Sequence, residues 1–245
     1  MRQCLFCDNS ANSREHVWPD WVLKSLKVRE PIRLKLGKAE ERFGSPEQKV
    51  KAVCKICNNG WMHDLEQSNM PLVGNLIHDV ALSLNGFQQL QIAMWAVKMS
   101  MVADFVGRGT RELFFNQAER EQLRVASGIP FRTTVWLARF RLPSHIGLWG
   151  TNSWTLDKSV HAQTTTVLVG HLAVQVVTLQ CTERWDGVDV TVETAHAPAQ
   201  RPWPEMLTEI WPTQVSVPWP PKTSFIDTGE FSSLVRRYSY GEDLG

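Results

Sequence analysis

The chain has 245 residues, 43% of them hydrophobic and 21% charged, with a formal net charge of +1. This is enough for a substantial core in one or two domains of an ordinary globular protein. The near-zero charge excludes a globally basic nucleic-acid binder, so an anionic partner must be met by a local patch. No apolar run reaches the ~20 residues of a membrane span, and no signal-peptide succession opens the sequence, so a cytoplasmic protein with no membrane partner is expected.

The first segment, 1–70, begins with Cys4-Leu5-Phe6-Cys7 and continues to Glu15-His16-Val17-Trp18-Pro19. Pro19 suits a first helical turn, and Trp21, Val22 and Leu26 share one face of the short helix expected there. From Ile32 to Leu36 apolar and basic residues alternate, which predicts a half-exposed strand. Gly44-Ser45-Pro46 marks a turn, and Gln48 to Val53 predicts a second strand running into Cys54-Lys55-Ile56-Cys57. Asn58 can cap a helix through Trp61, Leu65 and Glu66.

The remainder, 71–245, is expected to form a separate domain. Long helices are predicted over 72–126: Leu72 to Phe105, with a break near Asn85-Gly86, and a shorter helix from Gln117 to Ala126. Leu90, Ala93, Met94, Val97, Met101 and Phe105 give the first of these its spacing of three and four. Strands are predicted over 131–192, namely Thr133 to Phe140, Thr164 to Val169, Ala173 to Leu179 and Val188 to Val192, with Gly170-His171 as a hairpin link. Trp203-Pro204, Trp211-Pro212 and Trp219-Pro220-Pro221 dominate 200–245. Proline withholds backbone donors, so an extended strap over the sheet is expected there, with the tryptophans as packing anchors. The fold class is α+β: a small metal-stapled lobe followed by a larger helical, then antiparallel-β domain.

Two Cys-x-x-Cys pairs, Cys4 with Cys7 and Cys54 with Cys57, match the ligand set of one tetrahedral structural Zn²⁺. So short a segment needs such a staple to hold its core. Only Cys181 lies outside the pairs, which argues against a disulfide framework. Glu15-His16 lies between the pairs. A histidine can deprotonate water near neutral pH, and an adjacent carboxylate can hold a divalent cation against a phosphate oxygen. Neighbours on a strand point to opposite faces, so presenting both groups to one site needs a bend. From the dipeptide alone, a surface Glu beside a His that hydrogen-bonds the backbone is the plainer reading.

The order Cys-x-x-Cys, Glu-His-x-x-Pro, Cys-x-x-Cys-Asn resembles the HNH nucleases of the treble-clef (His-Me finger, ββα-metal) group, over roughly residues 4 to 66. The resemblance implies a treble-clef lobe in which Glu15 holds a catalytic divalent ion, His16 is the general base, and Asn58 completes the metal site. That ion would be Mg²⁺, Mn²⁺ or another divalent cation, with the zinc purely structural. The family's middle asparagine has no counterpart, Lys51-Ala52-Val53 standing in that stretch. Met62 stands where some members carry a further histidine, which leaves Asn59 and His63 as second-choice ligands on one helix face.

Between Lys24 and Lys55 ten Lys and Arg face four Glu, a local surplus suited to phosphate contacts without sequence readout. His78, His145, His161, His171 and His196 lack ligand spacing and are expected to be structural or surface residues. Asp104, Arg108 and Arg111 form a charged helix end. The sequence thus leads to a metal-dependent endonuclease acting on nucleic acid, most simply DNA. Its rivals are a catalytically inactive zinc module that binds nucleic acid or a protein partner, and a zinc-stapled regulator whose larger domain senses a ligand.

Overall fold

The computed structural model describes residues 2–27, 33–36, 39–42, 49–108, 112–125, 128–155, 160–181 and 203–236. The first elements are β1 (Ser13–His16), α1 (Asp20–Ser25), β2 (Arg33–Leu36), β3 (Ala39–Arg42) and β4 (Lys49–Val53). A helical run follows, made of α2 (Lys55–Cys57), a π-helical turn (Asn58–Met62) and α3 (His63–Ile77), with a kink at Gly60. Then come β5 (Leu82–Asn85), α4 (Gly86–Arg108), α5 (Gln117–Arg124), β6 (Thr133–Thr155) and β7 (Val160–Cys181). The last are α6 (Trp203–Met206), β8 (Leu207–Trp211), β9 (Ser216–Trp219), a 3₁₀ turn (Thr228–Glu230) and α7 (Phe231–Val235).

The mixture of helix and sheet is the expected one, and β6 and β7 organise it. They pair antiparallel along almost their whole length, with irregularities between Arg139 and Ser144 and between Ser144 and Leu148. The other edge of β6 takes β8 antiparallel at Val135 to Ala138 and β2 parallel at Leu148 to Thr151. A strand from the first segment therefore joins the main sheet. The expected boundary near residue 70 falls inside α3, and one buried cluster runs from Cys4 through α4 to Trp219.

Side chains alternate along the ribbon, as a two-sided sheet requires. Val135, Leu137, Val174 and Val176 pack towards α4, whereas Trp136, Ala138, Phe140, Ala173 and Val177 pack in a second cluster with Phe231 and Leu234 of α7. Sandwiched in this way, α4 is buried on nearly every side. Beyond the predicted stripe it also buries Ile92, Trp95, Met99 and Val102, and its all-round apolar surface marks a central helix.

Three expectations are corrected and a fourth is refined. Gly170-His171 does not turn a hairpin, because pairing of β7 with β6 continues on both sides of it. Gly170 instead adopts φ +56° at the bend, where a Cβ would meet the Ile77 carbonyl oxygen at 2.4 Å, so only glycine fits. The Trp-Pro stretch is not an irregular strap. Its residues form β8 on the edge of β6 and β9 against β5, with Pro212 and Pro220 directly after the strand ends and Pro218 on an edge. Asn58 does not cap the helix: the Cys54 sulfur accepts from the Cys57 backbone N–H at 3.4 Å and takes that role. The helical break ends at Asn85 as expected but is longer than a single point, running over 78–85 with β5 inside it.

The short helix after Pro19, the strands ending at Leu36 and Val53, and the helix from Gln117 are present. The last begins with a reciprocal capping box between Asn116 and Glu119. The expectations for Gly44-Ser45-Pro46, Val188 to Val192, Arg111 and His196 lie outside the described residues. No helix among the described residues is long and apolar enough to cross a membrane.

Candidate functional site

The four paired cysteines converge. Their sulfurs are buried and all lie within 4.8 Å of one another. Cys7 Sγ stands 3.6 Å from both Cys54 Sγ and Cys57 Sγ, far beyond the ~2.05 Å of a covalent disulfide. A tetrahedral Zn²⁺ with Zn–S bonds of about 2.3 Å requires sulfur edges of about 3.8 Å, so these residues can hold such an ion. N–H donors already face the sulfurs: Cys54 N to Cys4 at 3.2 Å, Cys57 N to Cys54 at 3.4 Å and Asn9 Nδ2 to Cys7 at 3.4 Å.

Burial pushes the Cys4 and Cys57 thiols up. It pushes Cys54 the same way, but the Cys57 N–H and the adjoining thiols outweigh it and bring that group down to about 7. Thiols this close cannot all ionise without a cation among them. From outside the cluster, Arg120 of α5 donates through Nε to the Leu5 carbonyl at 2.7 Å, and through a second nitrogen to the Phe115 carbonyl. The first knuckle is thereby pinned to the body of the protein.

Next to the cluster, β1 and β4 form an antiparallel pair, with Glu15 opposite Val50 and His16 opposite Lys49. The register slips between Ser13 and Glu15, so the strand carries an irregularity just before the dipeptide. Glu15 is buried and His16 half-buried, as neighbours facing opposite sides should be. Asn58, in the π-helical turn, donates through Nδ2 to Ser13 Oγ at 2.8 Å and to the Arg14 carbonyl at 3.1 Å. A carbonyl can only accept, so this fixes the amide orientation and turns Oδ1 away from those two acceptors. Glu15, His16 and Asn58 thus belong to one strand–helix junction.

Asn59 and His63 are exposed on the same helical run, with the Gly60 kink between them. His78 meets Ser25 Oγ at 2.6 Å and His171 meets the Phe140 carbonyl at 2.8 Å, both structural contacts. Asp104 is buried and accepts from the Phe114 backbone N–H at 2.6 Å. Of the basic surplus, Lys24, Lys27, Lys49, Lys51 and Lys55 are exposed.

Sequence reasoning missed Lys98. From the centre of α4, fully buried, it reaches Glu66 Oε1 of α3 at 2.5 Å and Glu15 Oε1 at 3.2 Å. The Trp21 indole N–H donates to the other Glu66 oxygen at 2.6 Å. Burial alone would push the Lys98 ammonium down, but Glu66 and then Glu15 outweigh it and raise it above the ordinary lysine range. The available signal was a lone lysine inside the apolar run Met94 to Val102. Comparison with protein-family models, with curated proteins and with solved structures finds no match for this chain.

Proposed function

We propose that the protein is a metal-dependent endonuclease that hydrolyses phosphodiester bonds, most simply in DNA, on a treble-clef lobe stapled by Zn²⁺ at Cys4, Cys7, Cys54 and Cys57. One observation carries the reading. The Asn58 amide is hydrogen-bonded to Ser13 and Arg14, the two residues before Glu15-His16. The contact ties Asn58 to the strand that carries the Glu15 carboxylate and the His16 imidazole, 43 and 42 positions away in sequence. The strand pair followed by a helix whose first turn carries two of the cysteines is the arrangement the HNH resemblance implies.

In this reading His16 takes a proton from water. The resulting hydroxide forms the new P–O bond as the bond to the leaving oxygen breaks, and that oxygen is protonated by solvent. Glu15 and Asn58 Oδ1 offer hard oxygen donors suited to Mg²⁺ or Mn²⁺. Such an ion, when bound, neutralises charge on the phosphate and on the leaving oxygen. The exposed lysines between Lys24 and Lys55 would hold the backbone of the substrate.

The rival is a zinc module that binds nucleic acid or a partner without cleaving. It is favoured by the want of a counterpart to the family's middle asparagine, Lys51-Ala52-Val53 standing in that stretch. Incubating zinc-loaded protein with supercoiled plasmid, linear duplex, single-stranded DNA and RNA, with Mg²⁺ or Mn²⁺, separates the two. Nicking that needs the divalent ion supports the nuclease. Binding without cleavage of any substrate supports the rival.

A further inference from the structure

We propose that Lys98 is a positioning residue for Glu15: its ammonium, itself held by Glu66, fixes one Glu15 oxygen and leaves the carboxylate's charge for a divalent cation. The inference rests on the nuclease reading and deepens it by adding a residue from the centre of α4, far outside the motif that suggested the site.

Geometry distinguishes the two carboxylates. Glu66 takes the short contact, 2.5 Å, and has Trp21 on its other oxygen; Glu15 takes the long one, 3.2 Å, through Oε1. Lys98 is therefore committed chiefly to Glu66, and the two form a nearly neutral unit that grips Glu15 from one side. One ammonium against two carboxylates leaves a net charge of −1 in a buried setting, which an added cation beside Glu15 would relieve. Ligating carboxylates are themselves held by hydrogen bonds from outside the metal site, as Lys98 holds Glu15 Oε1, and loss of such a support weakens affinity or activity by about 10- to 100-fold.

Opposite charge changes at the two partners give the test. With Glu66→Gln, Lys98 turns to Glu15 alone and cancels its charge. With Lys98→Met, Glu15 keeps its charge but loses its anchor. Mn²⁺ binding to zinc-loaded protein would be followed by titration calorimetry, and plasmid nicking at saturating Mn²⁺ alongside it. Glu66→Gln should weaken Mn²⁺ binding by about tenfold or more, and Lys98→Met should bind Mn²⁺ at least as tightly as wild type yet nick about 10- to 100-fold more slowly.

A purely structural ion pair would not split affinity from turnover in this way. If Lys98→Met does not fold, the mildly placed Glu66→Gln and the charge-conserving double variant Lys98→Met/Glu66→Gln still decide. The double variant should bind Mn²⁺ but nick slowly. Wild-type Mn²⁺ binding and nicking, both unchanged in Glu66→Gln and in the double variant, would overturn the role of Lys98 alone. Absence of both in the wild type would overturn the nuclease reading, and this inference with it.

Discussion

The cysteine cluster and the Glu15–Lys98–Glu66 triad are both buried, polar and built from distant segments, yet they differ in what completes them. The cysteines present donors that repel one another once ionised and need a cation from outside. The triad brings its own cation on α4 and lacks only one further positive charge. Zinc held at the first cluster would couple metal binding to folding of the amino-terminal segment. The second ties that lobe to the central helix whether metal is present or not.

The largest effect is expected at the cysteines. Cys54→Ser replaces a thiolate by a hydroxyl, which can still accept from the Cys57 N–H but is a poor zinc donor, and should cost more than about 5 kcal/mol of metal-linked stability. Loss of zinc together with a lowered melting temperature of the protein would be the observed result, and a chelator should reproduce it in wild type. Next, Lys98→Met strands the buried Glu15 carboxylate and the half-buried Glu66 carboxylate and should cost about 3–5 kcal/mol by chemical denaturation, with zinc content unchanged. A Lys98→Met protein that loses zinc would mean that the two clusters are not separable.

Arg120→Ala sharpens the contrast, because that side chain supports the first knuckle without touching the triad. It should cost about 1–3 kcal/mol and speed zinc loss to a competing chelator. Trp21→Phe does the converse by removing the donor to Glu66, at about 1.5–3 kcal/mol, with zinc exchange unaltered.

The smallest effect is electrostatic and lies apart from both clusters. Burial raises the Glu119 carboxyl, so folding disfavours its ionised form. That penalty is absent below the unfolded carboxylate range and full above the raised folded value. Glu119→Gln should therefore raise the melting temperature slightly at pH 7 and leave it unchanged at pH 3.

How much of this could be read from the sequence follows from the distances over which each feature is determined. The knuckles, the strand into Cys54 and the helix from Gln117 are set by residues within a few positions, and the pattern reveals them. The contacts of Asn58 could not be foreseen as a strand–helix clamp, because propensity favours Asn as a cap and only the Cys54 sulfur displaces it. Lys98 lay in plain view, but its two partners are 83 and 32 residues away, and only the packing of α4 brings them together. Gly170 misled for the same reason. A glycine between two β-branched runs suggests a hairpin, and the close approach of Ile77 that explains it comes from a distant helix.

The proposed role of His16, activating water beside Glu15 and Asn58, is read from the rate of plasmid nicking by wild type and by His16→Ala. Both proteins should carry one zinc and melt alike. Wild type should nick in the presence of Mg²⁺ or Mn²⁺, and His16→Ala should be slower by about 10²- to 10⁴-fold. Equal rates in the two proteins, with zinc and stability matched, would contradict it.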